Sequence, residues 1–172
     1  MPTPCYISVE GVTQGLITAA AFTEDSVGNI YQEGHEDQCL VQAVAHNVTV
    51  PRDPQSGQPS GQRVHQPMVI TKIIDKASPL LFQALCSGER LPRVELKWYR
   101  TSTSGTQENY FSTVLDDAIL VNISTLMPNC QDPAKAQFTH LEELSFAYRM
   151  ITWNHDIAGT SGSDDWRAPI SA

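Results

Sequence analysis

The stretch 40–74, LVQAVAHNVTVPRDPQSGQPSGQRVHQPMVITKII, decides the fold, because its two ends read as strands and its middle cannot. From Leu40 to Val50 one face carries Leu40, Val44, Val48 and Val50, while the other carries Val41, Ala43, Ala45, Asn47 and Thr49. A strand patterned this way packs a core on one side and meets a second environment on the other. Val64 to Ile74 reads as another strand, with Pro67 near its start, where a missing N–H is tolerated. Between them lie Pro51, Arg52, Asp53, Pro54, Gln55, Ser56, Gly57, Gln58, Pro59, Ser60, Gly61 and Gln62. Three prolines, two glycines and almost nothing apolar exclude the interior of a strand or helix. The segment is expected to project from the sheet as a long loop, and long ordered loops tend to carry function.

Outward from this stretch, β signals dominate. Tyr6 to Val9 is a short first strand. Val94 to Arg100 and Asn109 to Leu115 flank Thr103-Ser104-Gly105-Thr106, a hairpin signal. Ile119, Val121 and Ile123 alternate with Leu120 and Asn122, and a last long strand places Leu144, Phe146, Tyr148 and Met150 on one face. One helix is expected over Ser78 to Leu85, with Ser78 as cap, Pro79 in the first turn, an apolar stripe of Leu80, Leu81, Ala84 and Leu85, and Gly88 as its left-handed stop. Many short strands and one helix imply a mainly β fold, an antiparallel β-barrel with one flanking α-helix. The expected organisation is a single domain over 1–172, with an extended loop at 51–62 and a C-terminal tail at 159–172.

Composition excludes several classes. Of the 172 residues, 41% are apolar and 17% charged, as in an ordinary globular chain. The formal charge of −8 repels phosphate backbones, so no nucleic-acid partner is expected. No stretch reaches the roughly 20 apolar residues of a membrane helix, so no membrane insertion is expected. The opening MPTPCYISVEGVTQG lacks a basic start followed by an apolar run. The chain is expected to be cytoplasmic at first and to leave the cell, if it does, without a signal peptide.

The residues show no catalytic constellation. Cys5, Cys39, Cys86 and Cys130 form no CxxC pair and read as free thiols serving as small core residues. None of the five histidines sits in HExxH or beside a cysteine at zinc spacing, and Gly34-His35-Glu36-Asp37 is too compact to converge on a metal. Gly159-Thr160-Ser161-Gly162 has the wrong spacing for a nucleophile elbow. Cys39 with His140 is the remaining nucleophile and base pair, and nothing marks it. Trp98-Tyr99 and Tyr110-Phe111 could suggest a carbohydrate platform, but neighbours on a strand point to opposite faces, which favours core plus interface. No catalytic, cofactor or metal residue is assigned.

Several separated strings, in order, resemble the Hcp (haemolysin-coregulated protein) family of type VI secretion systems. They are VPRDPQSGQPSGQRVHQPMVITK, IIDKASPLLFQAL, LKWYR, ENYFSTVLDDAILVNI, HLEELSFAYRMITW and Ser163-Asp164-Asp165-Trp166. The resemblance spans nearly the whole chain. It implies a phage tail-tube-like barrel that forms a homohexamer, with rings stacked into a hollow tube. It further implies a contractile sheath and a spike protein as partners, small effector proteins carried in the ring lumen, and secretion of the subunit itself. It makes 51–62 the ring-stacking loop. The family usually places an acidic residue after Thr71-Lys72, where this chain has Ile73, implying an altered subunit contact. Only six residues follow Trp166, so no attached toxin domain is expected. The competing reading is a carbohydrate- or protein-binding β module acting as a monomer.

Overall fold

Alternating apolar residues close most of the chain into one antiparallel circuit. A computed structural model describes residues 3–168. Its strands are β1 (Cys5–Gly11), β2 (Gly15–Leu16), β3 (Cys39–Ala45), β4 (Val48–Thr49), β5 (Val64–His65), β6 (Met68–Ile73), β7 (Leu91–Thr101), β8 (Gln107–Leu126), β9 (Leu141–Ala147), β10 (Met150–His155) and β11 (Thr160–Asp165). The helices are α1 (Glu24–Val27) and α2 (Ser78–Ser87). The main sheet runs β11-β10-β8-β7-β1-β3-β6-β9, and β9 pairs again with β8, so six strands form a closed barrel.

β8 makes closure possible by serving three neighbours, with β10 beside Phe111 to Asp116. Its first part pairs with β7 as far as Ala118, and its last part, Ile119 to Leu126, pairs with β9. The switch falls at Asp117, whose φ of 52° breaks the regular extension. Arg90 steadies this residue with a guanidinium fork on its carboxylate. Ile7, Leu91, Leu96, Leu115, Leu144, Phe146 and Ile151 fill the interior and are wholly buried. The hairpin turn expected at 103–106 links β7 to β8, with Ser102 N–H donating to the Thr106 carbonyl.

The two-faced reading of 40–50 needs correction. Pairing of β3 with β6 shifts register between Val41 and Ala43, a bulge. Cys39 and Val41 point inward before it, and Val44 leans on the core after it. The regular alternation therefore named the wrong face for Val41. Val48 and Val50 lie on β4 and just beyond, and both are exposed.

The helix is found, but Ser78 does not cap it. Its hydroxyl accepts from Asp75 N–H (3.0 Å) and donates to Glu142 Oε1 (2.7 Å), while the Asp75 carboxylate accepts from Ala77 N–H (3.0 Å). Leu81 and Ala84 are buried, Leu85 is partly so, and Leu80 is exposed. Gly88 ends α2 at φ 67°, ψ 31°, its N–H reaching the Ala84 and Leu85 carbonyls.

Three further expectations change. The tail at 159–172 is not a tail as far as Asp165, because Thr160–Asp165 pairs along the whole of β10; 169–172 lie outside the described residues. Cys5 and Cys39 are buried, whereas Cys86 and Cys130 are exposed and serve no core. Ile73 is buried within its own chain, opposite Leu141, so its apolar side chain is explained without a subunit contact.

Candidate functional site

The segment 51–62 is exposed throughout and ordered from within. β4 and β5 pair Val48 with His65 and Thr49 with Val64, and the ribbon continues through a bridge between Arg52 and Pro59. Ser60 N–H donates to the Pro51 carbonyl, Asp53 N–H to the Gln58 carbonyl and Gly57 N–H to the Asp53 carbonyl, each at 2.8 Å. Gly57 turns the tip at φ 73°. The expected irregular loop is thus a hairpin. Prolines did not prevent it, since the bonds use the N–H groups of Asp53, Gly57 and Ser60 and the carbonyl of Pro51. The Asp53 carboxylate accepts from Gln55 N–H (3.1 Å) and Ser56 Oγ (2.8 Å), which holds it below the usual carboxylate range. Both bonds stay inside the tip.

The hairpin is rooted by a polar chain absent from the sequence reading. Arg63 places Nε 2.9 Å and Nη2 3.0 Å from the two carboxylate oxygens of Asp164 on β11. His65 Nε2 lies 2.7 Å from the same carboxylate, and its Nδ1 lies 2.7 Å from the Tyr148 hydroxyl. That hydroxyl lies 2.7 Å from His46 Nε2 as well. Trp166 donates its indole N–H to the Tyr148 carbonyl and packs near the His65 ring. The Arg63 guanidinium holds the Asp164 carboxyl below its ordinary value. Burial lowers His46, and the neighbouring His65 adds to this. The one available signal was position: a histidine stands at each root of the proline-rich segment.

A second buried polar group fixes the turn from β6 into α2. Lys72 Nζ contacts Asp75 Oδ1 (3.0 Å), Glu142 and Ser78 Oγ (3.2 Å), with no side-chain exposure. Burial pushes the ammonium down, and Cys39 together with the Asp75 and Glu142 carboxylates outweighs that effect. This is a structural cluster, closed to solvent.

The weighed chemical candidates do not converge. Cys39 is wholly buried, its thiol pushed well above the ordinary range by that burial, while His140 is exposed. Burial pushes the Cys5 thiol up to about 12. His35 stacks on Tyr6 at 3.8 Å and bonds Gln38, Glu36 accepts from Gly34 N–H, and Asp37 accepts from Ala20 N–H. No group of three metal-ligating side chains occurs among the described residues. Trp98 leans on the core and donates to Thr113 Oγ1 (3.2 Å), with Phe111 edge-on to it, so these aromatics form no exposed line. No helix is long and apolar enough to cross a membrane among the described residues.

A family model described as "Type VI secretion system effector, Hcp" matches residues 6–155. The chain belongs to the Hcp family. It is 67% identical over 171 residues to the "Major exported protein" of Pseudomonas aeruginosa, covering 99% of each. It superposes on a crystal structure of an Hcp protein with a TM-score of 0.93 at 54% identity, covering 98% of this chain and 100% of that one. The secreted protein Hcp3 from Pseudomonas aeruginosa gives 0.83 at 58% identity, covering 97% and 100%. Hcp membership makes this a secreted tube/effector protein of the type VI secretion system and not an enzyme. It also accounts for a mainly β chain.

Proposed function

We propose that this Hcp chain acts as one domain, forms a hexameric ring, and stacks ring on ring into the inner tube of the secretion machine. The hairpin at 51–62 is the element that engages the next ring. The carrying observation is that this hairpin is built for contact outside its own barrel. Its tip is held by its own hydrogen bonds, while Val48, Val50 and Val64 on its stem stay exposed. A preformed tip loses little conformational entropy on docking. Around such a tube the sheath and spike proteins are the remaining partners, and small effector proteins occupy the lumen. The subunit resides in the cytoplasm until the machine fires.

The test replaces Asp53 to Gly61 with a short Gly-Ser turn. Rings are expected to survive, because the barrel core lies elsewhere. Stacked tubes, seen by electron microscopy, and secretion of the protein are expected to be lost. Normal tubes from the shortened protein would remove the hairpin from the stacking contact.

A further inference from the structure

The chain from His46 through Tyr148 and His65 to Asp164 has a direction, and the direction counts protons. Asp164, ionised and forked by Arg63, can only accept, so His65 donates from Nε2. A neutral His65 then has a bare Nδ1, which accepts the Tyr148 O–H. The Tyr148 oxygen in turn accepts from His46 Nε2–H. Each contact has one donor and one acceptor. One added proton is still accommodated. On His65 it turns Nδ1 into a donor, the His46 proton passes from Nε2 to Nδ1, and the phenol hydrogen swings to the bared His46 Nε2. A second added proton is not accommodated. Both imidazoles then direct N–H groups at one phenol oxygen, its hydrogen loses its partner, and two cations face each other across it. The charges nearby are Arg63, Asp164, Asp165 and Arg149, and Arg149 is already engaged with Asp165. None is free to neutralise His46.

We propose that this relay is an acid-sensitive latch on the hairpin: it holds the roots of 51–62 against β11 and the β9–β10 turn while at most one extra proton is bound, and releases them when both histidines are cationic. Its role in assembly rests on the hairpin being the stacking element, but its operation in a free subunit does not. Both roots touch it, since His46 precedes β4 and His65 lies on β5, and the other bonds on the stem are the short ribbon, the Gln66 N–H to Asn47 carbonyl bond and the Arg63 fork on Asp164. Lowered His46 protonation, caused first by its burial, is what this geometry requires.

The test reads isolated rings or subunits. Nitrogen NMR of the imidazoles near neutral pH should show His65 protonated at Nε2 and bare at Nδ1, with His46 protonated at Nε2. Hydrogen exchange at the amides of 48–65, corrected for intrinsic rates, should lose about tenfold or more in protection on acidification to about pH 5, while β7 and β8 amides hold. Tyr148→Phe removes the shared hydroxyl and should loosen the hairpin at neutral pH and flatten its acid response. His46→Gln removes one cation and should shift the loss to lower pH. Should Tyr148→Phe fail to fold, the wild-type tautomers and the His46→Gln profile decide. Hairpin protection unchanged across this pH range, or the opposite tautomers, would overturn the latch. If the shortened hairpin still stacks while protection falls with acid, the latch stands and only its role in assembly fails.

Discussion

At the residue scale, the side chains that matter most are those with no solvent to retreat to. Leu81 is 1% exposed on the inner face of α2. Leu81→Asp places an unpaired carboxylate there and should cost about 3–5 kcal/mol, read as loss of soluble protein or a fall in Tm. Lys72 is the reverse case, a charge that the core requires. Lys72→Met leaves Asp75 and Glu142 facing each other without a cation and should cost about 3–5 kcal/mol. Adding Glu142→Gln should recover part of that in a denaturant titration, and no recovery would mean the cost is steric. Acid should weaken the fold through two further groups. His46 and Asp164 both have folded pKa values below their unfolded ones, so the folded state binds fewer protons. Their contributions are complete above about pH 7 for His46 and about pH 5 for Asp164 and are lost as pH falls through each folded value. Thermal melts along a falling pH series should show a first decline tied to His46 that His46→Gln removes. Residue roles were the least legible part of the sequence. Ser78 looked like a cap, since Ser before Pro is a cap signal, but its partner Glu142 comes from a strand that local reading cannot place. Tyr148 looked like one more apolar-face residue, and its hydroxyl's two histidine partners lie far away in sequence.

At the element scale, sequence reading located the strands and the helix because each has its own period and punctuation. The hairpin of β7 and β8 was visible from its turn residues, and α2 from Pro79 and Gly88. Gly88→Ala puts a Cβ at φ 67° and should cost about 1 kcal/mol, a small drop in Tm with the fold unchanged. A larger loss would mean that α2 cannot shift its last turn. What escaped were places where pairing overrides local preference. The bulge at Val41–Ala43 inverts the faces of one strand, and nothing in residues 40–45 announces it. β11 has the composition of a loop, TSGSDD, and is a strand only because β10 offers an edge. The stem of 51–62 likewise became ribbon because β4 and β5 begin the pairing for it.

At the scale of the whole molecule, fold class and family were legible together, since the barrel and the separated matching strings span the same residues. Native mass spectrometry should show a closed assembly near six times 19.0 kDa, and a monomer at micromolar concentration would refute the ring. Separate Cys39→Ala and His140→Ala variants that fold should assemble and be secreted like wild type, and selective loss of secretion would expose a site. The way the barrel closes also sets a timetable for its making. β1 cannot meet β7 until Trp98 has been synthesised to face Cys5, and β6 and the far half of β8 wait for β9 to join them. A nascent chain halted before Leu141 would leave the ribosome with two unpaired strand edges, the form most prone to mispair with its neighbours. Slow, late closure is therefore built into this topology, and crowding of half-made subunits on a polysome is the hazard it brings.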